Sequence, residues 1–73
     1  MQHDKDYDKL LKRISQNIKS IREEKGLTQE QMTEYGFNYR HYQKLESGSY
    51  SPSLHTLYRV AKSLKVNLVD LLE

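Results

Sequence analysis

The chain has 73 residues, of which 36% are hydrophobic and 30% charged, and its formal net charge is +2. A chain of this size forms one domain with a thin core, and the absence of cysteine excludes a disulfide framework and a thiolate zinc site. No apolar run approaches the ~20 residues of a membrane span, and no signal sequence is evident, so we expect a cytoplasmic protein with no membrane contact.

The first predicted element is an amphipathic helix from about Asp8 to Lys25. Gly26 follows it, where a glycine in the left-handed conformation would end the helix. Residues 1–6 precede the pattern and are predicted to be flexible, which leaves a single domain at 7–73. The apolar residues of this helix fall within about 100° of arc: Tyr7, Leu10, Leu11, Ile14, Ile18 and Ile21.

The second and third predicted helices are short and nearly continuous. Thr28 caps the second helix, with Gln31 in position to complete a capping box. This helix ends at Gly36, and Asn38 caps the third helix, which extends to about Glu46. Two short helices joined by so tight a turn must cross steeply, which predicts a helix-turn-helix unit.

Two further helices complete an all-α prediction. The fourth starts near Ser51-Pro52-Ser53, and we expect Pro52 at its first helical position, where no backbone N–H is needed. The fifth starts at Asn67, with Asp70 close to its positive end. The expected core side of the fourth helix is Leu54, Leu57, Tyr58, Ala61 and Leu64.

From residue 27 to residue 72 the chain resembles the Cro/phage-repressor-like family of DNA-binding domains, often called the XRE family. With Ile21–Lys25 included, the resemblance covers about 60 of the 73 residues. It implies a compact five-helix, lambda-repressor-like domain whose third helix, at about Asn38–Glu46, reads the major groove. The matching stretches, in order and at nearly the family's spacing, are Gly26–Met32, Tyr42–Gly48, Pro52–Leu57 and Ala61–Val66.

The chain departs from the family at the turn. The family usually has one more residue between the start of the second helix and the turn glycine, where this chain has Thr33-Glu34-Tyr35-Gly36. We therefore expect the second helix to be one residue shorter.

The third helix has a polar face suited to the major groove. Arg40 and Lys44 are candidates to donate to guanine. Gln43 is a candidate to pair with adenine or to reach a phosphate, and Tyr39 to contact a thymine methyl group or a phosphate. The alternative for each is an ordinary solvated side chain. Positive charge also gathers in residues 9–25 and 36–65, each with a net charge of +4, although solvated helix faces commonly carry such charge.

Other residues are expected at the DNA backbone or within the domain. Gln29 occupies the first turn of the second helix, where free N–H groups favour a phosphate. The resemblance implies a structural ion pair between Arg22 and Glu46, tying the first helix to the third. It also implies backbone contacts from the loop after the third helix, where hydroxyls replace the usual basic residues: Ser47, Ser49, Tyr50 and Ser51.

The leading functional prediction is a sequence-specific transcriptional regulator of double-stranded DNA, acting as a homodimer on a two-fold symmetric operator. The fifth helix has more apolar residues than one short helix can bury, so it is the candidate dimer interface; completion of the monomer core is the alternative. The alternative function is a protein-interaction module of the same fold, such as an antitoxin, and a toxin or polymerase is a conceivable partner. The interface candidates are Val66, Leu68, Val69 and Leu72.

Catalysis, cofactors and metals are not expected. None of the three histidines has a histidine or cysteine partner four residues away, which disfavours a metal site. So small a core can hardly supply a catalytic pocket, and no nucleophile stands in a catalytic context.

Overall fold

Local capping and glycine signals divide the chain into five helices in a computed structural model that describes residues 4–73. The predicted all-α, five-helix fold is confirmed, and residues 4–73 contain no strand. Half of the predicted flexible segment, residues 1–3, lies outside the described residues. The elements are α1 (Lys5–Glu24), a 3-10 helix (Glu30–Tyr35), α2 (Tyr39–Ser47), α3 (Leu54–Ser63) and α4 (Leu68–Leu72).

Helix α1 begins three residues earlier than the apolar pattern indicated. The Asp4 carboxylate accepts hydrogen bonds from the backbone N–H groups of Asp6 (3.0 Å) and Tyr7 (3.1 Å). This cap satisfies two of the free donors at the helix start and places negative charge at the positive end of the helix dipole. At the other end, Gly26 has a φ of 72° and turns the chain out of the helix, as predicted.

The second predicted helix forms as a 3-10 helix instead of an α-helix. The capping box is present: the Gln31 amide oxygen accepts from the Thr28 N–H at 2.8 Å, and the Gln31 N–H donates to Thr28 Oγ1 at 3.1 Å. A 3-10 helix rises about 2.0 Å per residue against about 1.5 Å in an α-helix, so its six residues span roughly 12 Å.

The start and the buried face of the fourth predicted helix, α3, need correction. Ser53 is the N-cap and accepts from the Thr56 N–H at 3.1 Å, so Pro52 precedes the cap and is not the first helical residue. Leu54 and Tyr58 are 68% and 50% exposed, although both were expected in the core. Both side chains lie at the edge of the apolar face of α3, outside the arc that faces the core. That arc consists of Leu57, Val60, Ala61 and Leu64.

The core lies where α1 packs on α2 and α4 and where α3 packs on α4. Tyr42 is fully buried on α2, and Leu71 is fully buried on α4. The Asn17 side-chain amide donates to the Leu71 carbonyl at 2.9 Å, which ties the short C-terminal helix to α1. This packing leaves one face of α2 open to solvent.

Candidate nucleic-acid interface

Helix α2 presents a polar face to solvent. Asn38 caps it by accepting from the His41 N–H at 3.1 Å, and its inward residues Tyr42 and Leu45 are buried. The outward face lacks side-chain hydrogen bonds to any part of the chain within residues 4–73, so its donors are available to a ligand. It consists of the four residues predicted to read bases, all exposed: Tyr39, Arg40, Gln43 and Lys44.

A buried ion pair joins α1 to the end of α2. Arg22 Nε donates to Glu46 Oε2 at 2.7 Å and Arg22 Nη2 to Glu46 Oε1 at 3.0 Å, while Nη1 donates to the Leu27 carbonyl at 2.6 Å. The two side chains are only 8% and 3% exposed. The two parallel bonds fix both the distance and the orientation of the two helices.

The pKa values of the pair reflect this arrangement. Desolvation by itself would raise the pKa of Glu46, but the hydrogen bonds from Arg22 and others outweigh it, so the pKa lies below its ordinary value. The hydrogen bond to Glu46 raises the pKa of Arg22. Burial raises the pKa of the neighbouring Tyr42 hydroxyl. Both members of the pair are therefore charged at neutral pH, and the tyrosine is neutral.

Gln29, the predicted phosphate contact, is attached to the same pair. Its side-chain amide donates to Glu46 Oε1 at 3.0 Å. One amide hydrogen is used in this bond, and the second remains available. The carboxylate thus orients Gln29 beside the exposed face of α2, a connection that the sequence did not indicate.

Sequence reasoning did not single out Lys19. This residue lines a shallow groove between α1, the 3-10 helix and α2, together with Gln29, Gln43 and Ser47. Within residues 4–73 it forms no ion pair. A signal was present in the sequence, because Lys12, Ser15, Lys19 and Arg22 recur at helical spacing beside the apolar stripe of α1.

The loop after α2 is bonded largely to its own chain. The Ser47 hydroxyl donates to the Lys44 carbonyl at 2.7 Å and lies 2.9 Å from the Ser49 hydroxyl. The Ser51 hydroxyl bonds the Tyr7 hydroxyl of α1. Tyr50 packs partly against the core and meets the His41 ring edge-on at 5.1 Å. Three of the four predicted backbone-contact residues therefore already hold internal hydrogen bonds, and the fourth packs inward.

Gly48 allows the end of α2 to approach α1 closely. Its φ of 80° is left-handed, and an added Cβ would lie 3.1 Å from Ser15 Oγ and 3.2 Å from Lys12 Cγ. Only a residue without a side chain fits here without strain. Close approach brings Lys12 next to the loop that follows the polar face.

The predicted dimer residues divide into two groups. Val66 and Leu68 are half-buried against the core and line a groove with Tyr58. Val69 and Leu72 are 51% and 39% exposed. The C-terminal region therefore both completes the monomer core and leaves apolar surface uncovered.

Comparisons with known proteins agree with this geometry. A family model described as "Helix-turn-helix" matches residues 18–71. The chain is 39% identical over 61 residues, 82% of its own length and 79% of the relative's, to an uncharacterized HTH-type transcriptional regulator, y4dJ, from Sinorhizobium fredii. No solved structure matches the chain significantly. Within residues 4–73 no helix is long and apolar enough to span a membrane, and no acidic, histidine or cysteine group forms a metal-binding cluster.

Proposed function

The chain belongs to the helix-turn-helix family, of the Cro/phage-repressor or XRE type, and we propose that it is a transcriptional regulator that binds a two-fold symmetric DNA operator as a homodimer. The observation that carries this proposal is the exposed polar face of α2, held in place by the buried Arg22–Glu46 pair. A rigidly held helix with free donors is what major-groove recognition requires.

Base recognition is assigned to the side chains of that face. Arg40 and Lys44 donate to guanine O6 and N7, and Gln43 pairs with the N6 and N7 positions of adenine. Tyr39 lies at the start of α2 and contacts a thymine methyl group or a phosphate. Each good bidentate pair contributes about 1–3 kcal/mol of discrimination against the wrong base.

A phosphate is proposed to bind in the groove between Lys19 and Gln29. Gln29 supplies its second amide hydrogen, and Lys19 supplies a positive charge. The positive charge of Lys19 is needed because Glu46 also borders this groove, and within residues 4–73 the Glu46 carboxylate is paired with Arg22 alone. Ser47, Ser49, Tyr50 and Ser51 contribute backbone contacts where their hydroxyls can exchange an internal hydrogen bond for one to DNA.

The homodimer is proposed to form through the exposed apolar surface of α4 and its approach. Val69 and Leu72 are the most accessible members, and Val66 and Leu68 extend the surface towards Tyr58. A single domain offers few base contacts, whereas two recognition helices about 34 Å apart read two half-sites. Replacing Val69 with lysine should shift sedimentation from dimer to monomer and reduce operator affinity without unfolding the domain.

In-vitro selection from random duplex DNA tests the whole proposal. We expect an inverted repeat to be enriched. Binding that stays at non-specific strength on every duplex would refute the proposal that the chain is a sequence-specific regulator. On the selected site, Arg40→Ala should relax the preference at one base position, and Gln29→Ala should weaken all sequences alike. Equal effects from the two variants would show that these roles are wrong.

The Lys19 contact has its own test. Lys19→Met should lower affinity for all duplexes and reduce the salt dependence of log K by about 0.9, the value for one phosphate contact. Arg13→Met, which removes another exposed positive charge from α1, is the matched control and should leave the salt dependence unchanged. An unchanged slope in Lys19→Met would remove this residue from the interface.

A further inference from the structure

The turn before α2 is held by a side chain from α3. Arg59 Nη2 donates to the Gly36 carbonyl at 3.3 Å, and the centre of its guanidinium group lies 4.6 Å from the centroid of the Phe37 ring. Gly36 has a φ of 92°, and a Cβ placed there would lie 3.3 Å from the same Nη2 atom. Arg59 is therefore in direct contact with both residues at the bend of the helix-turn-helix.

This turn determines where α2 begins and in which direction it runs. Phe37 is 4% exposed, and its ring lies 5.7 Å from that of Tyr42, the buried anchor of α2. Asn38, the next residue, caps α2. A displacement of Phe37 would therefore pass directly to the start of α2, where Tyr39 and Arg40 stand.

Two side chains connect this turn with the C-terminal half of the domain: Arg59 contacts the turn from α3, and the buried Phe37 ring shares one core cluster with Val60 of α3. Helix α3 packs chiefly on α4, whereas α2 packs chiefly on α1 and the 3-10 helix. Arg59 adds polar contacts between α3 and the turn that leads into α2. Within residues 4–73 its guanidinium forms no ion pair with a carboxylate. The groups that it contacts in the turn are the Gly36 carbonyl and the face of the Phe37 ring.

The chemistry of the two contacts explains why an arginine stands here. The Gly36 carbonyl lies at the negative end of the 3-10 helix dipole, which favours a cation. A planar guanidinium can cover an aromatic ring and still donate at its edge, whereas a lysine ammonium is a compact point charge that does not do both equally well.

We infer that Arg59 is a positioning residue that fixes the turn and thereby sets the angle of α2 in the major groove. The inference rests on the proposed function for its effect on DNA reading. Arg59 acts through Phe37 and Gly36, not through a direct contact with DNA.

The experiment compares Arg59→Lys and Arg59→Met with Arg13→Met, which removes an exposed arginine from α1. Affinities for the selected site and for a scrambled duplex are measured over a range of salt concentrations, at a temperature where all variants remain folded. We expect both Arg59 variants to lose about tenfold in affinity for the selected site while scrambled-duplex affinity and the salt slope stay unchanged. Arg13→Met should match the parent chain.

Two outcomes would overturn the inference. A salt slope reduced by about 0.9 in Arg59→Met, with equal losses on both duplexes, would make Arg59 a direct phosphate contact. An unchanged ratio of selected-site to scrambled-duplex affinity in both Arg59 variants would mean that the turn positions α2 without help from Arg59.

Amide hydrogen exchange keeps the test independent of DNA binding. We expect Arg59→Lys to accelerate exchange in residues 37–42 more than in α4, and unaltered exchange would contradict the positioning role. If the parent chain selects no DNA site, the proposed function fails while this measurement still decides the role of Arg59.

Discussion

Replacing Arg22 with methionine tests how strongly the position of α2 depends on α1. The change removes three hydrogen bonds, two to Glu46 and one to the Leu27 carbonyl. It leaves a carboxylate that is 3% exposed with one remaining side-chain donor, from Gln29. Removing one partner of a buried ion pair destabilises a protein by about 3–5 kcal/mol, because the other charge stays buried and unpaired.

That loss is large for this chain. At about 0.05–0.15 kcal/mol per residue, the free energy of unfolding of 73 residues is roughly 4–11 kcal/mol. A loss of about 3 kcal/mol lowers the melting temperature by at least ~12 °C at the usual 4–8 °C per kcal/mol for a domain of this size. We therefore expect Arg22→Met to be partly unfolded at 37 °C.

Urea denaturation followed by circular dichroism measures the effect. Arg13→Met, which removes an exposed arginine from the same helix, should change the free energy of unfolding by less than about 0.5 kcal/mol. The double variant Arg22→Met with Glu46→Leu should recover most of the loss, because no buried charge remains. A loss below about 1 kcal/mol in Arg22→Met would place the pair among exposed salt bridges and refute the reasoning.

Three further predictions concern pH, the turns and the core. The pKa of Glu46 is below its ordinary 4.5, so the stabilising contribution of its carboxylate is complete above about pH 4.5 and is lost as pH falls through the lower folded-state pKa. In an acid titration, Glu46→Gln should therefore lose less of its free energy of unfolding than the parent chain. An equal loss in both proteins would contradict the role of the pair. Gly26→Ala should destabilise by about 1–2 kcal/mol through its left-handed backbone alone. Gly48→Ala should destabilise more, because its new Cβ also meets α1, and equal urea midpoints would argue against that close approach. Leu57→Ala should lose about 2–5 kcal/mol and Leu54→Ala less than about 0.5 kcal/mol, since only Leu57 is buried; similar losses would mean that Leu54 packs in the core.

The helices were predictable because residues close to each helix end determine where the helix begins and stops. Asn38 and the Thr28–Gln31 pair cap as their spacing indicates, and Gly26 and Gly36 end helices in the left-handed conformation. Capping depends on residues within one turn, so a single sequence contains the necessary information. The polar face of α2 was predictable for the same reason, from helical periodicity.

Features that depend on distant neighbours were not predictable in this way. Nothing in the local sequence around Gln29 or Arg59 indicates that the first bonds Glu46 and the second covers Phe37. The exposure of Leu54 and Tyr58 depends on which part of α3 reaches its neighbours. The 3-10 winding of the second helix was likewise not predicted, because its capping signals do not distinguish a 3-10 helix from an α-helix.

The internal bonding of this domain separates two kinds of position. Arg22, Gln29 and Glu46 share one buried set of hydrogen bonds, so a change in any one removes a hydrogen bond from at least one of the others. The side chains on the exposed face of α2 form no hydrogen bonds with other residues within residues 4–73. Surface substitutions of this kind change the free energy of unfolding by only about 0.5 kcal/mol or less. The proposed base-reading residues can thus be exchanged one at a time while the fold persists. A lineage of such domains can acquire new operators by single substitutions and still remain stable at each step.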